Sequence, residues 1–113
     1  MTTYAYEFND ENAPSPFPHL NFPLGAFHSA DVEYLFNRNG IPAPLTPDQQ
    51  LLSQAMISYW TQFAKTGDPN SPGQPSWAPY VIATDERQSF VPPIPVVKTD
   101  YATDHMCAFW DLL

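Results

Sequence analysis

The sequence is short of positive charge. Only 4 of its 113 residues are lysine or arginine, against 12 aspartates and glutamates, and the formal net charge at pH 7 is −8. Binding to nucleic acid or to an anionic membrane surface requires cations that neutralise phosphates or lipid headgroups. We therefore expect no nucleic-acid partner and no membrane partner for this chain.

Cysteine and long apolar runs are scarce as well. The single cysteine, Cys107, cannot form a disulfide within the chain, so no disulfide framework holds the fold. No apolar run reaches the roughly 18 residues of a transmembrane helix, and the first residues lack the basic and apolar regions of a signal peptide. The localisation stays unknown, since a segment of a longer protein need not carry its targeting sequence.

Apolar residues are frequent enough for folding. Hydrophobic residues make up 43% of the chain and aromatic residues 15%, too many for a disordered chain of low hydrophobicity. The 14 prolines resist the interiors of helices and strands, which indicates long surface loops. A chain of this length forms at most one domain with a modest core.

A helix over about 47–66 is the clearest prediction. Thr46 is a good N-cap, Pro47 suits the first helical position, and Gln49 completes a capping box. An apolar stripe that includes Leu52, Met56 and Phe63 then recurs at helical spacing. Gly67 and Pro69 follow as helix-ending residues, and Lys65 suits the last turn.

The remaining elements are shorter. Residues 3–8 alternate as a strand with Tyr4, Tyr6 and Phe8 on one face, residues 88–91 favour a short strand, and residues 95–98 are extended. A short terminal helix is expected over about 103–112, with three residues packing inward: Met106, Phe109 and Trp110. This order of elements is typical of the closing units of an α/β sheet.

An incomplete sheet is expected from these elements. Parallel strands are normally covered on both faces, and two short strands with two helices cannot cover each other fully. We expect one sheet face, or the stripe with Leu52, Met56 and Phe63, to be exposed unless further chain covers it. The aromatic residues Tyr59, Trp60 and Phe63 are more typical of a core than of a ligand site.

The segment from Gly25 to Phe36 carries the candidate chemistry. His28 lies in a predicted loop, three residues before Asp31, and an imidazole takes and returns protons near neutral pH. An isolated loop histidine is more often a solvated polar residue. A metal site is not indicated, because the spacing of His19, His28, His105 and Cys107 matches no standard ligand pair.

Five segments in order resemble the type-B carboxylesterase and cholinesterase family. They are residues 4–8, the block with Gly25, His28, Asp31 and Phe36, and residues 59–70, 77–80 and 105–110. The resemblance implies an α/β-hydrolase fold and hydrolysis of carboxylic esters by a serine, a histidine and an acid, without cofactor or metal. It places His28 on the catalytic histidine of the family.

The resemblance also shows what is absent from these 113 residues. No Gly-x-Ser-x-Gly nucleophile motif occurs, and in this fold the serine and the acid precede the histidine in the chain. We therefore expect residues 1–113 to be a C-terminal fragment of the hydrolase domain, inactive by itself, whose ester substrate binds only with the missing N-terminal part. Apolar surface on the fragment would then contact the rest of that domain.

Several residues keep two interpretations. Asp31 is either an acid that hydrogen-bonds near the site, distinct from the triad acid, or a residue that caps a turn or helix. In secreted relatives the cysteine matching Cys107 pairs with an upstream one, so Cys107 is either a free thiol or half of a lost bridge. The acidic pairs Asp10–Glu11 and Asp85–Glu86 are expected to be solvated.

Two other functions compete with the esterase. The family includes adhesion proteins that keep the fold without a working triad, and a catalytically dead binding relative would resemble this chain. A non-functional gene remnant is the third possibility. His28 favours the enzymatic lineage.

Overall fold

A small mixed sheet organises the residues that the computed structural model describes, which are 2–17, 20–37 and 40–112. Its strands are β1 (Tyr6–Phe8), β2 (Arg87–Phe90) and β3 (Val96–Lys98), in the order β1-β2-β3. β1 and β2 are parallel, and β3 is antiparallel to β2. Residues 95–98, expected only to be extended, supply the third strand because they fold back along β2.

The long helix confirms the sequence prediction at both ends. After α1 (Val32–Leu35), helix α2 spans Pro47–Thr66. The Thr46 hydroxyl accepts a hydrogen bond from the Gln49 N–H at 3.3 Å, and the Thr46 N–H donates to Gln49 Oε1 at 2.9 Å. Gly67 ends the helix with a φ of 78°, a left-handed conformation in which glycine is unstrained.

The core forms between α2 and one face of the sheet. Leu52, Met56 and Tyr59 of α2 and Phe90 of β2 are each 0% exposed. The Phe90 ring lies 5.9 Å from the Tyr59 ring and 5.4 Å from the Trp77 ring, between centroids. Fully burying one such side chain stabilises a fold by about 1.5–3 kcal/mol.

The sequence predicts exposure either on one sheet face or along the α2 stripe, and the stripe is exposed only at its end: Leu52 and Met56 are buried, whereas Phe63 is 47% exposed. A 20-residue helix is about 30 Å long, and a strand of three or four residues is only about 10–14 Å. The middle of α2 therefore meets the sheet and its last turns extend past it. Tyr59 and Trp60 belong to the core or pack against it, as predicted.

The end of the chain departs from the prediction. Instead of one helix over 103–112 there are two four-residue helices, α3 (Tyr101–Asp104) and α4 (Cys107–Trp110). Met106, Phe109 and Trp110 are 62%, 52% and 63% exposed rather than packed inward. The helix is interrupted at Met106, whose φ of 54° is left-handed and cannot continue a right-handed helix. His105, just before it, contacts Glu7 of β1 at 2.5 Å.

Two of the four loop acids are not solvated as expected. Asp10 is 4% exposed. The Asp85 carboxylate lies 2.9 Å from the Arg87 guanidinium and accepts a hydrogen bond from the Tyr80 hydroxyl at 2.9 Å. Glu11 is exposed and Glu86 is half-buried. The partners of Asp85 are close in sequence, whereas Asp10 is buried against Tyr34 and Gln49, which the fold brings in from 24 and 39 residues away.

None of the helices in the described ranges combines the length and the apolar character needed to cross a membrane.

Candidate functional site

His28 lies in a turn, as the sequence predicts. Residues 28–31 form the turn, and the Ala30 N–H donates to the Phe27 carbonyl at 3.1 Å. The Val32 N–H then donates to the Ser29 carbonyl at 3.2 Å, which leads directly into α1. Ala30 is fully buried whereas the His28 side chain is exposed. The turn is thus anchored by its backbone and by Ala30 while the imidazole is presented to solvent.

The backbone on either side of His28 is tightly bent. Gly25 has a φ of 61°, which confirms the predicted glycine turn into the histidine segment. Ser29 has a φ of 66°, in the left-handed region that costs a non-glycine residue about 1–2 kcal/mol. Strain of this kind concentrates at functional sites. It is located here at the residue next to the candidate base.

The position of the turn in the fold suits a reactive group. β1 ends at Phe8, and the loop that leaves its carboxyl end carries His28 before the chain enters α1 and α2. In sheets with parallel strands, ligands bind outside the carboxyl ends of those strands. Ala26, two residues before His28, lines a pocket with Asn9 and Val91, which directly follow the parallel strands β1 and β2.

The imidazole is available for proton transfer. Within the described ranges, the His28 ring has no hydrogen-bond partner. Its two nitrogens are therefore both open to partners outside these residues, and a neutral imidazole with one free nitrogen can act as a base.

Asp31 occupies the N-cap position of α1, but its side chain makes no capping hydrogen bond. It is half-buried, and together with burial, which contributes most, its negative charge raises the pKa of the Tyr6 phenol. Asp31 thus lies near β1 as well as in the His28 turn. Its role as an acid beside His28 stays a prediction.

The other histidines and the cysteine lie apart from this turn. His105 is stacked on Tyr101 with 4.1 Å between ring centroids and contacts Glu7, while Cys107 is a half-buried free thiol. His19 lies outside the described residues. Across residues 2–17, 20–37 and 40–112, no three His, Cys, Asp or Glu side chains group in a way that suits a metal ion.

Sequence reasoning missed a buried polar cluster beside the turn, which we call the Asp10 brace: Asp10, Tyr34 and Gln49. The Tyr34 hydroxyl donates to Asp10 Oδ2, and the Gln49 amide donates to the same oxygen at 2.8 Å. Burial, with the hydrogen bond to Asp10 second, raises the pKa of Tyr34 well above its ordinary value and keeps it a donor. Only the capping role of Gln49 was visible in the sequence, because its partner lies 39 residues away.

Comparison with known proteins supplies the family. The model of the carboxylesterase family matches residues 1–110. This chain belongs to the carboxylesterase family. The chain is 43% identical to bile salt-activated lipase of Homo sapiens over 82 residues, which cover 69% of this chain and 10% of that protein. It is 30% identical to acetylcholinesterase of Gallus gallus over 112 residues, 95% of this chain and 14% of that protein.

Solved structures show that this carboxylesterase-family chain has the α/β-hydrolase fold. An esterase from anaerobic Clostridium hathewayi that can hydrolyse aliphatic aromatic polyesters superposes with a TM-score of 0.71 at 24% identity, covering 99% of this chain and 21% of that one. A thermophilic PNB esterase gives a TM-score of 0.68 at 22% identity, with 92% and 21% covered. The 113 residues therefore span only a small part of the family members they match.

Proposed function

We propose that this chain supplies the proton-transfer histidine, His28, of a carboxylic ester hydrolase whose nucleophile and triad acid lie on polypeptide outside these 113 residues. The observation that carries the proposal is the exposed His28 ring, held on a turn at the carboxyl end of β1 in a chain of the carboxylesterase family. The absence of a Gly-x-Ser-x-Gly motif from the chain supports the second half of the proposal.

The chemistry requires a single base at this position. His28 takes the proton of a serine hydroxyl as the oxygen attacks the ester carbonyl, and returns it to the departing alcohol. In the second half of the reaction His28 activates a water molecule against the acyl-enzyme. A carboxylate on its other ring nitrogen and backbone N–H groups for the oxyanion complete the site.

The outer edge of β1 supports docking of a complementary portion of the hydrolase domain. The Gln88 N–H donates to the Ala5 carbonyl at 3.0 Å, and the Asn9 N–H donates to the Phe90 carbonyl at 2.9 Å. Since alternate residues of a strand direct their N–H and C=O groups to opposite sides, those of Tyr6 and Phe8 point away from β2. In the part of the chain that the structure describes, no strand occupies that edge.

An aromatic cleft continues from this edge. It has a volume of about 320 Å³, and its lining includes Tyr4, Tyr6, Trp60 and Phe63. Tyr6 is 44% exposed and Phe63 is 47% exposed. A strand added to β1 would pair with the open backbone groups and cover these rings, which is the usual way in which a sheet edge takes a partner.

The test combines this chain with the complementary portion of a carboxylesterase domain that carries the serine and the acid, as a fusion or as a separate chain. The probe is a nitrophenyl acetate. We expect the 113-residue chain alone to hydrolyse it no faster than free imidazole, and the combination to show saturable turnover. His28→Ala should then lower turnover by about 10⁴- to 10⁶-fold, the effect of losing a triad histidine.

Matched histidine variants provide the control. His19→Ala and His105→Ala should each change the turnover of the combination by less than about tenfold, equal to about 1.4 kcal/mol of barrier. A His28→Ala combination that keeps more than about a tenth of the activity would overturn the assignment.

A further inference from the structure

The Asp10 brace links three separate parts of the fold around the His28 loop. Asp10 follows β1, Tyr34 lies in α1 six residues after His28, and Gln49 lies in the first turn of α2. Asp10 is 4% exposed, Tyr34 is 1% and Gln49 is 5%. A polar cluster buried to this extent must satisfy its hydrogen bonds internally.

Each member of the brace is satisfied by the others and by nearby backbone. Oδ2 of Asp10 accepts from the Tyr34 hydroxyl and the Gln49 amide, and Oδ1 accepts from the Asn12 N–H at 2.9 Å. The Gln49 amide nitrogen also donates to the Asn12 carbonyl at 3.0 Å. Three donors converge on one buried carboxylate, and hydrogen bonds to charged acceptors are stronger than neutral ones.

Tyr34 is the member that connects the brace to the histidine turn. Its ring packs edge-on against Phe8 with 5.0 Å between centroids, and its carbonyl accepts from the Ser53 hydroxyl at 2.6 Å. Its N–H donates to the Asp31 carbonyl at 3.0 Å, within the turn that carries His28. Tyr34 is thereby held to β1, to α2 and to the turn together.

We infer that Asp10 is a positioning residue for His28, acting through Tyr34 and Gln49 to hold both ends of the histidine loop in one arrangement. This inference rests on the proposed function of His28 and adds a residue that the nucleophile, base and acid of the reaction do not include. Its physical basis is that a base displaced by about 1 Å loses on the order of 10² in rate.

The choice of an acid at position 10 follows from its surroundings. An ionised carboxylate offers acceptor sites on both oxygens and no donors, and this environment presents only donors to it. An asparagine of the same shape would place an NH₂ group against at least one of these donors. Asp10→Asn therefore removes at least one of these three hydrogen bonds, and the charge of the acceptor, with almost no change in volume.

Amide hydrogen exchange of the full 113-residue chain tests the brace directly. The reporters are the N–H groups of Ala30, Val32 and Tyr34, which donate within the turn, and the reference is the amide of Met56 in the middle of α2. In Asp10→Asn and in Tyr34→Phe, we expect the turn amides to exchange at least about tenfold faster, the effect of one lost buried hydrogen bond. The Met56 amide should change by less than about twofold.

Two neighbouring variants serve as matched controls. Glu11→Gln makes the same acid-to-amide change at the next residue, which is exposed. Tyr80→Phe removes a tyrosine hydroxyl that also donates to an aspartate, but outside the loop. Both should leave the exchange of the turn amides unchanged.

Each alternative result contradicts the inference. Turn amides that exchange as in the wild type in Asp10→Asn and Tyr34→Phe would show that the brace does not hold the turn. Equal acceleration of the turn amides and the Met56 amide would show a general loss of stability instead. If Asp10→Asn does not fold, Tyr34→Phe decides, since it removes a single oxygen atom.

Activity of the combined hydrolase separates this inference from the proposed function. Asp10→Asn and Tyr34→Phe should lower kcat by about 10- to 100-fold with KM nearly unchanged, because the base is misplaced while the substrate pocket is retained. A combination that is active and insensitive to both variants would overturn the positioning role and leave the role of His28 intact. A combination without any activity would contradict the role of His28. In that case hydrogen exchange of the turn amides would still show whether the brace holds the turn.

Discussion

Tyr59 shows how burial changes the chemistry of a single side chain. It is 0% exposed in the core, and its hydroxyl donates to the Pro75 carbonyl at 2.6 Å. Burial raises the pKa of Tyr59 from 10.0 to about 12, because the phenolate would lose its hydration in the core. The fold thus holds the proton of Tyr59 more tightly than the unfolded chain does.

This shift predicts an alkaline weakening of the fold. The contribution of Tyr59 to stability is fully present below pH 10 and is lost as the pH rises from 10 through about 12, since the unfolded state ionises first. We expect the free energy of unfolding, measured in urea, to fall between pH 9.5 and about pH 12. Tyr59→Phe should show a smaller fall over this range, and an equal fall in both proteins would contradict the prediction.

Among the helices of the described residues, only α2 begins with a side-chain cap, and the sequence predicts that cap. Thr46 and Gln49 exchange two hydrogen bonds, which satisfy backbone groups that the start of a helix leaves open. α1, α3 and α4 lack a side-chain cap and have only four residues each. Their existence depends on tertiary contacts.

Thr46→Ala should lower the free energy of unfolding by about 1 kcal/mol, the usual effect of losing an N-cap. Chemical denaturation followed by the circular dichroism of the helix measures the change. Thr61→Ala is the control, because Thr61 is exposed in the same helix and alanine is the better helix former. A loss as large for Thr61→Ala as for Thr46→Ala would show that the cap does not contribute as described.

The molecule as a whole leaves many large apolar side chains exposed. Large apolar side chains that are more than half exposed include Phe22, Phe36, Ile82, Met106, Phe109 and Trp110. Some are scattered and need no partner, but Met106, Phe109 and Trp110 are close in sequence at the end of the chain. Large exposed apolar patches are typical of interaction surfaces.

The aromatic cleft beside β1 is the most enclosed of the apolar surfaces described above, and we expect it to bind a hydrophobic dye such as anilinonaphthalene sulfonate, with a clear rise in fluorescence while α2 remains folded. The complementary portion of the hydrolase domain should reduce this signal by covering the aromatic cleft beside β1. Phe63→Ser, at an exposed position of that cleft, should lower the dye signal more than Ile82→Ser, at an exposed position outside it. Equal effects of the two variants would contradict binding at the cleft.

Local patterns in the sequence were sufficient to predict the family, the helix α2 and the position of His28 in a loop after a strand. Capping residues, helical spacing and the order of short motifs all act between residues near each other in sequence. For that reason α2 has the predicted bounds, Pro47–Thr66, and Gly25 makes the predicted bend.

Tertiary structure alone decided which polar residues are buried and which apolar residues are not. The sequence predicts Asp10 to be a solvated loop acid, yet its carboxylate accepts hydrogen bonds from Tyr34 and Gln49, which lie 24 and 39 residues away in sequence. The sequence pattern predicts Phe109 and Trp110 as core residues, yet they are 52% and 63% exposed in the fold. The physical reason is common to both: a hydrogen bond or a packed surface depends on which distant segments the fold brings together, and that information is spread over the whole chain.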